Sequence, residues 1–229
     1  MINFYVILLD KDIDRKKYIH NIINTKLPVL KILDAVDGSK IQQDFINFLY
    51  NTKVITPRIT HQYSKGTIGC YLSHMKMWTT VRNKHMRNTI ILEDDFTISD
   101  NFTDNINNVL NELPNTYDIC YLFYHPFSYK YYKNFNKFEI HDKKYIRKQV
   151  PTWGLVGYII SYKGAIRLIE LCNKMTGPVD NMVAKQILLG NLEAYHSKEL
   201  LVDTIGECLY KDKKLIKFKS NATGGGFII

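Results

Sequence analysis

Three consecutive carboxylates follow an apolar run at residues 90–95, where the sequence reads IILEDD. Glu93, Asp94 and Asp95 hold three like charges side by side, which is costly, and more so when the groups are buried. Hard divalent cations such as Mg2+ and Mn2+ choose oxygen ligands of this kind, and Mg2+ commonly joins one or two carboxylates to substrate phosphates. The triplet therefore predicts a site for a cation and a diphosphate; the alternative is an acidic N-cap of a following helix.

Apolar runs that alternate with helical patterns must position these carboxylates. Strands are predicted at residues 4–9, 29–33, 89–92, 117–124 and 155–161, with shorter ones near 192–195 and 200–202. Helices are predicted after Asp12 or Asp14, at 41–50, from Gly66 or Thr67, and at 102–113, 163–173 and 180–189. Strands that alternate with helices indicate an α/β fold with a mostly parallel central sheet flanked by helices.

Two of the predicted strands end in polar residues. Leu9 and Asp10 lie at the end of the first strand, and the carboxylate triplet lies at the end of the third. In open α/β sheets, ligands bind beyond the carboxyl ends of the strands. We therefore expect both strand ends to share one crevice, which favours a ligand site over a simple helix cap.

Length and composition are typical of a globular protein. The chain has 229 residues, of which 45% are hydrophobic, and no stretch resembles a linker. We expect a single domain over residues 1–220 and a disordered tail at 221–229, where three glycines occur in a row. No apolar run approaches the ~20 residues that span a bilayer. The first residues lack the features of a signal peptide, and the four cysteines form no C-x-x-C pair, which predicts a soluble, cytoplasmic protein with reduced thiols.

The net charge of +9 suggests an anionic partner. Basic residues concentrate at 130–148, where aromatic residues interleave with them, and again at 211–219. Aromatic rings among cations can stack bases, so single-stranded nucleic acid is one candidate. The alternation of aromatic and polar residues at 135–145 instead suits an exposed hairpin, so nucleic acid is the weaker expectation.

Six short motifs resemble those of glycosyltransferase family 25, the lipopolysaccharide and collagen β-galactosyltransferase family. They occur in the family's order and extend over nearly the whole chain. They are LLDKDIDRK at 8–16, DAVDG at 34–38, GTIGCYLSH at 66–74 with Trp78, ILEDD at 91–95, GYIIS at 157–161 with KGA at 163–165, and PVD at 178–180. One departure lies at the first strand, where the family often has Asn-Leu and this chain has Leu9-Asp10.

The resemblance implies a GT-A type fold and a UDP-sugar donor, UDP-galactose or UDP-glucose, used with Mn2+ or Mg2+. The acceptor would be a hydroxyl of a glycan or of a hydroxylysine in a collagen-like chain. Glu93 and Asp95 would form the acid-x-acid motif that holds the metal ion. His196 is the candidate for a third metal or pyrophosphate ligand, with an exposed loop histidine as the alternative.

The resemblance also implies contacts to the nucleotide. Arg15 and the main chain from Leu8 to Asp10 would meet uracil, ribose or phosphate, and Asp37 would accept from the uracil ring. Asp94 would turn towards the ribose or the backbone, because side chains alternate along a strand.

Two neighbouring residues in the predicted helix after residue 66 are further candidates for the donor site. Ser73 and His74 would lie beside the donor. For His74, the alternative is an ordinary core histidine flanked by Leu72 and Met75.

Inversion at the anomeric carbon, which the resemblance implies, requires a carboxylate that takes the proton of the acceptor hydroxyl. Asp180 is the candidate base, and helix N-cap is its alternative role. Trp153 and Gly154 would form a floor under the transferred sugar, with Trp153 as an ordinary core residue the alternative. Two other functions stay open: a metal-dependent phosphoryl-transfer enzyme or nuclease, and an inactive glycosyltransferase-like binding protein.

Overall fold

A mixed β-sheet of seven strands forms the centre of the protein, seen in a computed structural model that describes residues 2–124, 143–148 and 152–205. Together with a two-stranded sheet, the strands in chain order are β1 (Ile2–Leu8), β2 (Leu30–Asp34), β3 (Asn88–Glu93), β4 (Phe96–Ile98), β5 (Ile119–Tyr121), β6 (Ile146–Lys148), β7 (Gly157–Ser161), β8 (Ala194–Ser197) and β9 (Val202–Thr204). The helices are α1 (Ile13–Thr25), α2 (Gln43–Asn51), α3 (Pro57–Gln62), α4 (Lys65–Asn83), α5 (Phe102–Glu112), α6 (Tyr162–Leu171) and α7 (Val179–Leu188).

The strand order in the large sheet is β2-β1-β3-β7-β5-β8-β6. β1 pairs in parallel with both β2 and β3, and β5 pairs in parallel with β8. β7 runs antiparallel to β3 and β5, and β6 runs antiparallel to β8, so that five of the seven strands point the same way. The prediction of an α/β fold with a mostly parallel central sheet is confirmed.

Helices cover both faces of this sheet. Along β1, Tyr5 and Ile7 pack in a hydrophobic cluster with residues of α2, α4, α6 and α7. Phe4, Val6 and Leu8 point to the opposite face, into a second cluster with α1 and α5. Because alternate residues of a strand face opposite sides, a strand covered on both faces is apolar throughout, as this one is.

Short polar contacts set where the helices begin. Asp12 caps α1, because its side chain accepts a hydrogen bond from the backbone N–H of Arg15. Asp12 was one of the two residues predicted for this cap. α4 begins slightly earlier than predicted, because Ser64 caps it by accepting from the N–H of Thr67. α7 is capped by Pro178, so that Asp180 lies in the first turn and is not the N-cap.

The small elements that the sequence did not predict include α3 and β4. α3 follows the capping residue Thr56, and β4 pairs antiparallel with β9 to form the separate two-stranded sheet. β4 directly follows the carboxylate triplet, so the triplet leads into a strand and not into a helix. The alternative of an acidic helix N-cap is therefore wrong.

The predictions on membrane spans, cysteines and domain bounds concern the chain as a whole. No described helix combines the length and the apolar character that crossing a bilayer requires. Cys70, Cys120 and Cys172 are free thiols. The single domain over residues 1–220 stays a prediction, and the proposed tail at 221–229 lies outside the described residues.

A close approach of backbones holds α4 against the loop that follows β2. A Cβ atom on Gly69 would lie 2.6 Å from the carbonyl oxygen of Val36 and 2.8 Å from the backbone nitrogen of Gly38. Real Cβ atoms do not come this close to backbone atoms. Only glycine therefore lets the helix and the loop meet at this point.

Gly69→Ala is expected to destabilise the protein by about 1–3 kcal/mol, the usual cost of overpacking. Without the close approach to the loop, the same change would stabilise the helix by roughly 0.5–1 kcal/mol through helix propensity. The sign of the change in stability therefore shows whether the close approach exists. Urea unfolding measures it. Gly177→Ala is the matched control, because its nearest neighbour would be the Tyr63 hydroxyl at 3.5 Å and no loss is expected there. A stabilised Gly69→Ala protein would contradict the close approach.

Candidate functional site

A cleft of about 400 Å³ opens where the carboxyl ends of β1, β2 and β3 meet α4. Its lining includes Ile7, Leu9, Lys11, Arg15, Ala35, Val36, Asp37, Gly38, Ser39, Ser64, Lys65, Gly66, Cys70, Ser73, His74, Glu93, Asp94 and Asp95. The carboxyl end of β1 and the carboxylate triplet therefore share one crevice, as predicted. The cleft also gathers Arg15, Asp37, Ser73 and His74 from the predicted site.

Asp94 ties the end of β1 to the end of β3. Its Oδ2 atom accepts a hydrogen bond from the backbone N–H of Leu9 at 3.1 Å, and its Oδ1 atom accepts one from the Arg15 guanidinium. Burial raises the pKa of Asp94, and the charge of Arg15 opposes this shift. The side chain thus turns towards the backbone, one of the two predicted orientations.

Arg15 is a buried cation that faces the acidic residues. Besides Asp94, its guanidinium lies 3.3 Å from Asp12 Oδ2 and 3.9 Å from Asp95 Oδ2. It is 5% exposed, and the same helix also buries Ile19 and Ile22. A buried charge needs a partner, and Arg15 has carboxylate partners within the protein. Its predicted contact with a nucleotide stays a prediction.

Asp95 is a half-buried carboxylate that lies 3.9 Å from the Arg15 guanidinium. Burial raises its pKa to about 7, and the negative charge of Glu93 adds to the shift. Its Oδ1 atom is buried and accepts no hydrogen bond from the described residues. A buried, unpartnered carboxylate oxygen beside a second carboxylate fits a hard divalent cation, whose preferred ligands are such oxygens.

Glu93 lies at the mouth of the cleft beside α4. Its Oε1 atom is 3.1 Å from Nε2 of His74, and Cys70 completes a group whose ligand atoms all lie within 4.8 Å of one another. Burial and the nearby carboxylates raise the pKa of the Cys70 thiol well above its ordinary value. Cys70 was not among the residues predicted from the sequence, although its four-residue spacing from His74 places both on one helix face.

Asp37 closes the other side of the cleft. Its Oδ1 atom accepts hydrogen bonds from Lys11 Nζ at 2.7 Å and from the backbone N–H and hydroxyl of Ser39. The hydrogen bonds from Lys11 and Ser39 lower its pKa to about 2, so that Asp37 is an anion at neutral pH. An ionised carboxylate beside a lysine can accept from a ligand N–H, as the predicted uracil contact requires.

Three further residues of the predicted site, Leu8, Asp10 and Ser73, make contacts within the protein itself. The carbonyl of Leu8 accepts from the N–H of Ala35, and exposed Asp10 pairs with Lys16 outside the cleft lining. The Ser73 hydroxyl donates to the carbonyl of Gly69 and accepts from the N–H of Val36, at 2.7 and 2.8 Å. Ser73 thus fixes the loop after β2 against α4 from inside the cleft wall.

Asp180 lies in the first turn of α7, near the triplet but outside the cleft lining. Its Oδ2 atom accepts from the N–H of Gly154 at 3.1 Å, and its Oδ1 atom accepts from the N–H of Asn181 at 2.9 Å. Burial raises its pKa against these hydrogen bonds, and Glu93 contributes to the shift through its charge. The hydrogen bond joins Asp180 to Gly154, which half-buried Trp153 precedes in the chain, and the roles predicted for these three residues stay predictions.

His196 is buried within β8, so the alternative of an exposed loop residue is wrong. Its Nδ1–H donates to the carbonyl of Ser197 at 2.8 Å, and its ring contacts Tyr124. β8 is three strands away from β3, a separation of about 14 Å at about 4.8 Å a strand. The structure does not bring His196 together with Glu93 and Asp95, and its role as a ligand stays a prediction.

Comparison with known proteins gives a family match. The model of "Glycosyltransferase family 25 (LPS biosynthesis protein)" matches residues 1–183. This range includes every residue that lines the cleft, and also Asp180, but it ends before His196.

Individual relatives resemble this chain over only part of their own length. A Drosophila melanogaster "Glycosyltransferase 25 family member" is 30% identical over 120 residues, which are 52% of this chain and 18% of that protein. Human "Procollagen galactosyltransferase 2" is 26% identical over 181 residues, 75% of this chain and 28% of the relative. Mouse "Inactive glycosyltransferase 25 family member 3" is 26% identical over 99 residues, 40% of this chain and 17% of the relative. The chain spans less than a third of the length of these relatives.

Among solved structures, the apo form of mouse xyloside xylosyltransferase 1 aligns with 83% of this chain and 70% of its own. The TM-score is 0.38 and the sequence identity is 11%.

The raised pKa of Asp95 predicts a pH-dependent stability of the cation-free protein. Folded Asp95 binds its proton below about pH 7, whereas an unfolded aspartate does so only below about 3.9. Between these values the folded chain binds more protons, so stability falls as pH rises. Asp95→Asn is therefore expected to raise Tm at pH 8, by about 2–4 °C for each kcal/mol relieved, and to raise it less at pH 5. Thermal melts in EDTA measure both shifts; an equal shift at the two pH values would contradict the assignment.

Proposed function

The chain belongs to glycosyltransferase family 25, and from this we propose that it transfers galactose or glucose from a UDP-sugar to an acceptor hydroxyl, with inversion at the anomeric carbon. The observation that carries the proposal is the cleft at the carboxyl ends of β1 and β3, where the carboxylate triplet faces one buried guanidinium. Such a cleft suits a ligand that brings a cation with it. A nucleoside diphosphate sugar with its divalent ion is such a ligand.

Glu93 and Asp95 are the residues that would hold the ion, Mn2+ or Mg2+. Arg15 pairs with Asp94, which leaves the charges of Glu93 and Asp95 less well balanced. The unpartnered Oδ1 atom of Asp95 supports this choice. When bound, the ion would neutralise the charge that develops on the departing diphosphate.

Asp180 is the proposed general base. Each of its carboxylate oxygens accepts one backbone N–H, which leaves further lone pairs for an acceptor hydroxyl. Its raised pKa makes it a stronger proton acceptor than an exposed aspartate. In a single displacement, the acceptor oxygen bonds to the anomeric carbon, the bond to the diphosphate breaks, and Asp180 takes the hydroxyl proton.

The acceptor we propose is a glycan hydroxyl or a hydroxylysine in a collagen-like chain, in keeping with the names of the family and of its procollagen relatives. One relative is named inactive, so activity of this chain is itself part of the proposal. A UDP-release screen over several UDP-sugars with Mn2+, with and without candidate acceptors, tests donor and activity together. Phosphate-ester cleavage in place of UDP release would favour a phosphoryl-transfer enzyme.

Asp95→Ala is expected to abolish the increase in Tm that UDP and Mn2+ produce together, because it removes the proposed ligand oxygen. Differential scanning fluorimetry with Mn2+, UDP and both together measures the effect. Asp44→Ala, which removes an exposed carboxylate of α2, is the matched control and should keep the full shift. A normal shift in Asp95→Ala would remove this residue from the cation site.

Asp180→Asn is expected to keep the affinity for UDP and Mn2+ but to lower kcat by roughly 10²–10⁴, the usual size of a general-base effect. The amide oxygen can still accept from Gly154, and only the exposed hydrogen bond from the N–H of Asn181 is lost, so the fold should persist. Steady-state kinetics with a saturating acceptor measure kcat, and isothermal titration calorimetry measures UDP affinity. Turnover within a few-fold of the unsubstituted protein would exclude Asp180 as the base.

A further inference from the structure

A chain of buried hydrogen bonds leads from the protein core to Glu93. Nε1 of Trp78 is 2.8 Å from the hydroxyl of Tyr158, which is 2.9 Å from Nδ1 of His74. Nε2 of His74 is in turn 3.1 Å from Oε1 of Glu93. Trp78, Tyr158 and His74 are at most 1% exposed, while Glu93 reaches the cleft. Three buried polar groups are thus linked in series to one proposed cation ligand.

The chemistry of each group sets the direction of these hydrogen bonds. An indole N–H only donates, so the Tyr158 hydroxyl accepts from Trp78. Burial raises the pKa of Tyr158 well above its ordinary value, so the phenol keeps its proton and can donate it onward. At the other end, an ionised Glu93 only accepts, so Nε2 of His74 must carry a hydrogen. In the neutral ring, Nδ1 is then the acceptor for Tyr158.

We propose that Trp78 and Tyr158 are positioning residues that hold His74 as its Nε2–H tautomer, so that His74 fixes the Glu93 carboxylate at the cation site. This inference rests on the proposed function and deepens it. Neither Trp78 nor Tyr158 lines the cleft, so both act through His74. The residues that touch a cation need such a second set of contacts, since an unsupported ligand turns away from its working geometry.

His74, Cys70 and Glu93 together form a group of possible metal ligands. The Nε2–H tautomer removes His74 from this group. A ring nitrogen that carries a hydrogen has no lone pair for a metal ion. His74 therefore acts as a hydrogen-bond donor to Glu93 and not as a metal ligand. This hydrogen bond uses one oxygen of Glu93, a residue that lines the cleft together with Asp95.

The elements of the fold bring these groups together. His74 and Trp78 are four residues apart on α4 and lie on one helix face. Tyr158 lies on β7 opposite Ile91 of β3, two residues before Glu93. The His74 ring stacks on Tyr158 with centroids 5.9 Å apart, which limits its rotation. A charge-assisted bond from a ring held in this way restrains Glu93 against repulsion by Asp94 and Asp95.

Tyr158→Phe deletes the hydroxyl in the middle of the chain and is the central variant. Mn2+ titration in the presence of UDP, followed by the EPR signal of free Mn2+, is expected to show about 10–100-fold weaker Mn2+ binding, the usual effect of losing an outer-shell partner. Tyr71→Phe is the matched control. It removes another buried hydroxyl, one that donates to the carbonyl of Cys172 at 2.9 Å, and should leave Mn2+ affinity unchanged.

Substitutions of His74 separate positioning from simple packing. In His74→Gln, the side-chain amide replaces the Nε2–H donor and should keep Mn2+ affinity within a few-fold. His74→Leu fills similar space without a donor and should weaken Mn2+ binding about as much as Tyr158→Phe. Equal Mn2+ affinities in the two His74 variants would overturn the inference.

The tautomer can be observed without any cation. In the cation-free protein with 15N-labelled histidine, NMR is expected to show His74 protonated at Nε2 and not at Nδ1, and this pattern should be lost in Tyr158→Phe. An Nδ1–H ring, or a spectrum that Tyr158→Phe leaves unchanged, would overturn the inference even if Mn2+ and UDP bind normally. If the unsubstituted protein binds no Mn2+ with UDP, the proposed function fails instead, while the NMR spectrum still decides the tautomer.

Discussion

The arrangement around the cleft depends on how the protein tolerates three adjacent carboxylates at the end of β3. Repulsion and burial disfavour their ionised forms, as the raised pKa values of Asp94 and Asp95 reflect. One buried guanidinium, Arg15, balances Asp94 and lies close to Asp95. This internal cation accounts for part of the charge only. A divalent ion bound with an anionic ligand could balance the remaining negative charge. The stability of this region is therefore linked to its proposed chemistry.

The contacts that build the cleft are also those that hold the fold together there. Asp94 joins the end of β1 to Arg15 on α1, and Ser73 joins α4 to the loop after β2. Gly69 allows that helix and loop to touch. The walls are therefore fixed before any ligand arrives, so little binding energy is spent on ordering them. These contacts surround the carboxylate triplet, whose ionised forms are disfavoured, and hold it in place.

Family membership accounts for the motifs in the amino-terminal four fifths of the chain, since the match ends at residue 183. Within that range, most of the residues that the resemblance indicated fall into two groups. Arg15, Asp37, Ser73, His74 and the triplet meet in the cleft, and Asp180 with Gly154 and the adjacent Trp153 forms the second group, near Glu93. Leu8 and Asp10 belong to neither group, because they lie outside the cleft lining. His196, chosen because it follows a strand, lies at a buried position three strands from the triplet. A lone histidine after an apolar run carried too little information to locate it.

Local patterns in the sequence determined the alternation of strands and helices, the cap at Asp12 and the position of the triplet at a strand end, because these depend on residues close in the chain. Only the tertiary structure decided that Arg15 meets Asp94, 79 residues away, and that Tyr158 meets His74, 84 residues away. It also decided that β7 runs antiparallel between β3 and β5, which places Tyr158 opposite Ile91, two residues before Glu93. Contacts between distant residues follow from strand order and the packing of α4 on the sheet, and neither is encoded in the spacing of any single segment.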